Sequence, residues 1–91
     1  MALHVTIRGL VQGVGYRQWL RRRAEGLGIT GWVRNREDGS VEAVLAGADA
    51  AVGRLLREAM TGPLGAKVDS IDQQPVAEPD SHTGFEIRPT I

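Results

Sequence analysis

The spacing of apolar residues switches repeatedly between two periods along this chain, and this constrains the fold more than any other property of the sequence. Leu3, Val5 and Ile7 alternate with His4, Thr6 and Arg8, the period of a half-buried strand over Leu3–Val11 with His4 on its polar face. From Tyr16 to Leu27 the apolar positions Tyr16, Trp19, Leu20, Ala24 and Leu27 form a helical stripe, with Arg21, Arg22 and Arg23 on the other faces. Gly26 and Gly28 supply its stop. Alternation returns over Ile29–Asn35, with Ile29 and Val33 inward and Thr30, Trp32 and Arg34 outward. It continues over Val41–Ala46, where Val41, Ala43 and Leu45 share a face, and Glu37-Asp38-Gly39-Ser40 between the two runs is a hairpin signal. Gly47 ends that strand, and Val52, Leu55, Leu56 and Ala59 then give a second helical stripe. Asp49 stands near the start of that helix, where a carboxylate suits the free N–H groups and the dipole. Thr61-Gly62-Pro63-Leu64-Gly65 breaks it.

The remainder is weaker. Val68–Gln73 reads as a strand in which Val68 and Ile71 have opposite parity, so a bulge is expected. Pro75–Ser81 reads as a polar loop, His82 as a loop residue, and Phe85 and Ile87 as the inward positions of a short last strand stopped by Pro89. The order β-α-β-β-α-β, with a short extra C-terminal strand, predicts an α+β ferredoxin-like (split βαβ) sandwich: an antiparallel sheet with two helices on one face. Right-handed crossovers place strand one in the middle, strand three beside it and strand two at the edge. Ninety-one residues suit a single domain, residues 1–91. A composition of 42% hydrophobic and 24% charged residues argues against disorder.

That topology has a chemical consequence. Strands one and two run parallel on either side of strand three, so their C-terminal ends share one sheet edge, roughly 10 Å apart. Val11-Gln12-Gly13-Val14-Gly15-Tyr16-Arg17 follows strand one, and Asn35 ends strand two. Gly13 and Gly15 allow a backbone turn whose N–H groups, with the first turn of the helix, converge on a small anion, and Arg17 adds a planar fork for two phosphate oxygens. The competing reading of the same residues is a plain strand-to-helix turn with an exposed arginine. A nucleotide loop is excluded: Gly15 is followed by Tyr16-Arg17 rather than Lys-Ser/Thr, and Gln18 stands where a dinucleotide fingerprint needs its third glycine. Charge is segregated along the chain. Residues 1–36 carry seven arginines and one acid, and residues 37–91 carry four basic and ten acidic side chains, so the first part is +6 and the second −6. These charges are either solvated faces or a positive field around the glycine loop.

The chemistry left open to such a site is narrow. With no cysteine there is no disulfide, thiolate ligand or thiol nucleophile. No His/Cys/carboxylate cluster has ligand spacing, Glu37 and Asp38 look structural, and no serine sits in a nucleophile elbow, so no metal or cofactor is expected. Phosphoryl chemistry under these limits suits an activated substrate whose leaving group departs unaided, such as a mixed carboxylic–phosphoric anhydride.

Two stretches carry a resemblance. Ile7-Arg8-Gly9-Leu10-Val11-Gln12-Gly13-Val14-Gly15-Tyr16-Arg17 resembles the first signature of the acylphosphatase family, and Gly31-Trp32-Val33-Arg34-Asn35-Arg36-Glu37-Asp38-Gly39-Ser40-Val41, with Gly47, resembles the second. The resemblance implies a hydrolase that splits acyl phosphates into a carboxylate and inorganic phosphate without a metal. It implies that Arg17 binds the phosphoryl group, that the backbone N–H groups of Gln12, Gly13, Val14, Gly15 and Tyr16 cradle its oxygens, and that Asn35 orients the attacking water. Tyr16 stands where phenylalanine is commoner in the family, and the chain ends Pro89-Thr90-Ile91 rather than in the tyrosine often seen there. The same signatures open large hydrogenase-maturation proteins. Nothing of that kind follows Ile91, and a free-standing, monomeric enzyme is expected.

Two other classes compete. A non-catalytic anion-binding module would use Arg17 and the loop but has no need of Asn35. An RNA-binding module of this topology would stack bases on aromatics of its central strands, and strands one and three have none. The expected partner is therefore a small acyl phosphate, with neither nucleic acid nor membrane. The N-terminus lacks a signal-peptide apolar region and no apolar run approaches membrane-spanning length, which makes cytoplasm the expectation.

Overall fold

The structure is a computed structural model in which residues 1–77 and 84–91 are described. Its elements are β1 (Ala2–Leu10), α1 (Tyr16–Gly26), β2 (Thr30–Asn35), β3 (Val41–Ala46), α2 (Asp49–Ala59), β4 (Lys67–Pro75) and β5 (Phe85–Ile87). The sheet order is β4-β1-β3-β2-β5. β3 is antiparallel to both β1 and β2, and β4 is antiparallel to β1.

The expected sandwich forms, and the alternating residues build its core. Leu3, Val5 and Ile7 of β1, Val33 of β2, and Val41, Ala43 and Leu45 of β3 are buried on one sheet face. They pack in one cluster with Tyr16, Leu20 and Ala24 of α1 and Val52, Leu55 and Ala59 of α2. Each fully buried Val, Leu or Ile contributes roughly 1.5–3 kcal/mol relative to exposure, so this face holds the two helices to the sheet. The stop after α1 is formed by backbone: Gly28 N–H donates to Glu25 O at 3.2 Å and Ile29 N–H to Ala24 O at 2.9 Å.

Three local outcomes differ from the sequence expectation. Strand two is not at the edge. β5 lies beyond it and pairs in parallel, Gly31↔Phe85 through Val33↔Ile87, which makes the sheet mixed on that side. The physical reason is that an edge strand presents unpaired backbone groups, and a short returning segment satisfies them. Pro75 closes β4 instead of opening a loop. β4 is itself an edge strand, where a residue with no N–H is tolerated, and the next residue, Val76, donates to Ala2 O at 3.1 Å. The remainder of the expected loop from residue 78, with His82, lies outside the described residues. Asp49 opens α2 as expected, but makes no capping bond; its carboxylate lies 3.5 Å from the N-terminal ammonium. The bulge expected from Val68 and Ile71 is present: Arg8 pairs with Ser70 and Gly9 with Val68, leaving Asp69 as the extra residue, and both apolar side chains reach the core.

The open face carries a polar cluster centred on Glu42, whose side chain is only 9% exposed. His4 Nε2 and Arg34 Nε each donate to it at 2.6 Å, and Arg36 Nη1 lies 3.9 Å away. Burial pushes the Glu42 carboxyl up, but these hydrogen bonds and the Arg34 charge outweigh it and hold the group below its ordinary value of 4.5. Trp32 packs on this face as expected, with the Arg34 and Arg88 guanidinium carbons 4.7 and 4.8 Å from its ring centre.

Two outcomes follow for stability. Tyr16 Oη donates to Ala59 O at 2.7 Å, joining the start of α1 to the end of α2. Burial pushes the phenol far above its ordinary pKa, so it stays a donor. Tyr16→Phe leaves that carbonyl without its partner and lowers unfolding free energy by about 1–2 kcal/mol in urea titrations with an unchanged m-value. For Glu42, whose folded-state pKa is depressed, the stabilisation is complete above pH 4.5 and is lost as pH falls through the lower folded-state value. The stability gap between wild type and Glu42→Gln is therefore wide at neutral pH and closes on acidification, as read by denaturant unfolding across the acid range.

Candidate active site

β1 ends at Leu10, and the chain turns through Val11–Gly15 into α1. Gly13 and Gly15 both sit at φ 76°, the left-handed region, and a Cβ at either would meet no neighbouring atom within 4 Å. Backbone conformation rather than crowding is thus what suits glycine here. Gly15 is the N-cap of α1 and supplies no side-chain cap; Trp19 N–H makes the helical bond to its carbonyl at 3.0 Å. The N–H groups of Tyr16, Arg17 and Gln18 therefore have no partner within the helix. The first turn contains no acidic residue and does contain Arg17, a cation at the positive end of the dipole. Such a helix start is open to water or to an anion.

Arg17 is half-buried beside this turn. Arg8, Arg23, Arg34 and Arg36 each lie within 4 Å of a carboxylate, whereas Arg17 pairs with none among the described residues. Asn35 ends β2 at the same edge. It pairs with Val41, and its carbonyl accepts from Ile91 N–H at 3.3 Å. Its side-chain Oδ1 is buried with no hydrogen-bond partner among the described residues, which is rare for a polar atom.

One cavity of about 270 Å³ joins these groups. Gln12, Gly13, Gly15, Tyr16, Arg17 and Asn35 all line it. Val14 does not; its side chain packs against the core. Tyr16 reaches the cavity at the start of the helix while its ring is 1% exposed and its hydroxyl is committed to Ala59, so what it can offer a ligand is backbone. The cavity is large enough for a phosphate group and waters, with the glycine loop and Arg17 on one side and Asn35 on the β2 side. Among the described residues no three His, Cys, Asp or Glu side chains converge to hold a metal ion, and no helix is long and apolar enough to cross a membrane.

Sequence reasoning missed three features. Ile87 and Gln18 also line the cavity, Ile87 because β5 lies beside β2. The third is the Gln12 side chain, whose Nε2 donates to Arg36 O at 2.7 Å and Ser40 O at 2.9 Å, bridging the loop to the β2–β3 hairpin. A glutamine in a glycine loop carries no signal of such a bond. The alternation of Phe85 and Ile87 did foretell β5, though not which strand it would join.

The family sequence model described as Acylphosphatase matches residues 3–87. An acylphosphatase of Azorhizobium caulinodans is 43% identical over 89 residues, covering 98% of this chain and 96% of the relative. The crystal structure of acylphosphatase from Bacillus subtilis superposes with a TM-score of 0.91 at 30% identity, covering 96% of this chain and 97% of that one. Full-length HypF in its phosphate- and nucleotide-bound form contains the same fold, with a TM-score of 0.87 and 26% identity over 98% of this chain but 12% of its own.

Proposed function

Because this chain belongs to the acylphosphatase family, whose activity is hydrolysis of acyl phosphates, we propose that the cavity between the glycine loop and the end of β2 is its active site, with Arg17 and Asn35 in separate roles. The phosphoryl group of a small acyl phosphate enters the loop. The N–H groups from Gln12 through Tyr16 and the first turn of α1 donate to its non-bridging oxygens, and Arg17 closes on two of them with its fork. Preorganised donors of this kind stabilise the charge that builds on those oxygens in the transition state.

Asn35 holds the nucleophile. A neutral amide cannot take a proton at neutral pH, but Oδ1 can accept a hydrogen bond from water and so aim its lone pair at phosphorus. The water oxygen forms a new bond to phosphorus as the bond from phosphorus to the acyl oxygen breaks. The electron pair leaves on a carboxylate that is already a stable anion, and the water's proton passes to a phosphoryl oxygen of the substrate. No residue needs to change charge. One chain supplies every group, and the reading takes the protein to act as a monomer.

The observation that carries this reading is that Asn35, whose buried Oδ1 has no hydrogen-bond partner among the described residues, lines the same cavity as Arg17, which pairs with no carboxylate among them. An anion-binding module has a use for the arginine and none for the orphan acceptor. Benzoyl phosphate hydrolysis in EDTA tests it. Wild type turns over, inorganic phosphate competes, and Arg17→Ala lowers kcat/KM by about 10²–10³ with weakened phosphate inhibition. Asn35→Ala lowers kcat on the same order of magnitude while phosphate still binds. Folded wild-type protein with no turnover in EDTA would sink the proposal.

A further inference from the structure

We propose that the side-chain amide of Gln12 is a positioning group that fixes the phosphate loop in register with the strand end carrying Asn35. This rests on the reading of the site above, and it concerns the Gln12 side chain, separate from the backbone N–H of the same residue.

The geometry is specific. Gln12 Nε2 has two hydrogens, and it donates to two carbonyls, Arg36 O at 2.7 Å and Ser40 O at 2.9 Å. Arg36 follows Asn35 directly, and Ser40 precedes Val41, the residue paired with Asn35 across the hairpin. The amide thus grips both arms of the hairpin one position beyond Asn35. The gripped pair is itself firm. Arg36 N–H donates to Ser40 O at 2.9 Å, and Asp38 Oδ1 accepts from both Ser40 N–H at 2.9 Å and Ser40 Oγ–H at 2.5 Å.

The far end of the loop is secured elsewhere. Tyr16 is buried and bonded to Ala59 O. The segment from Gln12 to Tyr16 is therefore pinned at one end to the hairpin and at the other to the helix layer. Loss of the hairpin pin leaves the loop's glycine conformations and the helix start in place, but frees the loop to shift against Asn35. A phosphate ion needs only the loop and Arg17. Hydrolysis needs the phosphoryl group and the water held in mutual register, and a displacement of about 1 Å can lower a rate on the order of 10²-fold.

Only a neutral primary amide of this length supplies both donors. Glutamate has none when ionised and would face two carbonyl oxygens, and methionine keeps the volume without a donor. The test measures kcat for benzoyl phosphate in EDTA and the Kd for inorganic phosphate by calorimetry, in wild type, Gln12→Met, Gln12→Glu and Asn35→Ala. In both Gln12 variants kcat is expected to fall about tenfold or more; in Gln12→Met phosphate Kd stays within about threefold, since the two quantities depend on register differently, whereas the added carboxylate of Gln12→Glu also repels the anion. For Gln12→Glu, kcat relative to wild type recovers in part on acidification, as the protonated carboxyl regains one donor. Phosphate binding reports that Gln12→Met is folded and circular dichroism reports it for Gln12→Glu, whose recovery on acidification carries the test should Gln12→Met not fold. Unchanged kcat, phosphate affinity of Gln12→Met falling in step with its kcat, or no recovery of Gln12→Glu on acidification overturns the proposal. If Asn35→Ala is inactive while both Gln12 variants turn over like wild type, the positioning role alone fails. If Asn35→Ala turns over like wild type, the reading of the site fails with it.

Discussion

The site depends on β3 being paired on both sides. Val5 and Val33 both pair with Ala43, and Ile7 and Asn35 lie on either side of Val41. Because β3 is antiparallel to each neighbour, β1 and β2 must run parallel to each other and end at one edge. The glycine loop leaves β1 there and Asn35 closes β2 there, with one strand's width on each side of Val41. A one-residue slip in either ladder would turn the inward set outward and expose Val5, Ile7 or Val33, so burial of those side chains fixes the register. The position of the site's two halves is thus a by-product of packing the core.

The electrostatics of the loop run against local preference. An uncapped helix start with no acid in its first turn and an arginine instead is an unfavourable arrangement by itself. Local conflicts of this kind concentrate at functional sites, and the surrounding structure must hold them. Here Tyr16 does so from within the core, one residue before Arg17, through its buried ring and its bond to α2.

The charge segregation along the sequence is largely undone by folding. Arginines of the first part meet acids of the second: Arg8 with Asp72, Arg23 with Glu58, Arg34 with Glu42. The exposed pairs, Arg8 with Asp72 and Arg23 with Glu58, add little stability, and all three neutralise the field their arginines would otherwise spread. Arg17, which faces the cavity without such a partner among the described residues, keeps its charge for whatever enters there. The concentration of positive charge near the loop is therefore more local than the counts suggest.

How much was legible in the sequence follows from the range of each interaction. Strand and helix periods, the hairpin at Asp38-Gly39, the bulge implied by Val68 and Ile71, and the pairing of a glycine loop with Arg17 are local patterns, and one chain displays them directly. Asn35 could be placed at the loop's edge because topology follows from element order. The parallel seat of β5 beside β2, the commitment of the Gln12 amide to two hairpin carbonyls, the turn of Val14 into the core and the orphaned Oδ1 of Asn35 could not be read in the same way. Each depends on the direction of one side chain or one segment toward residues far along the chain. The sequence by itself determined the elements, their order and the chemical types at the site. Only the tertiary structure decided which donors are already spent within the protein and which acceptor is left open, because hydrogen-bond satisfaction is settled by positions in space and not by spacing along the chain.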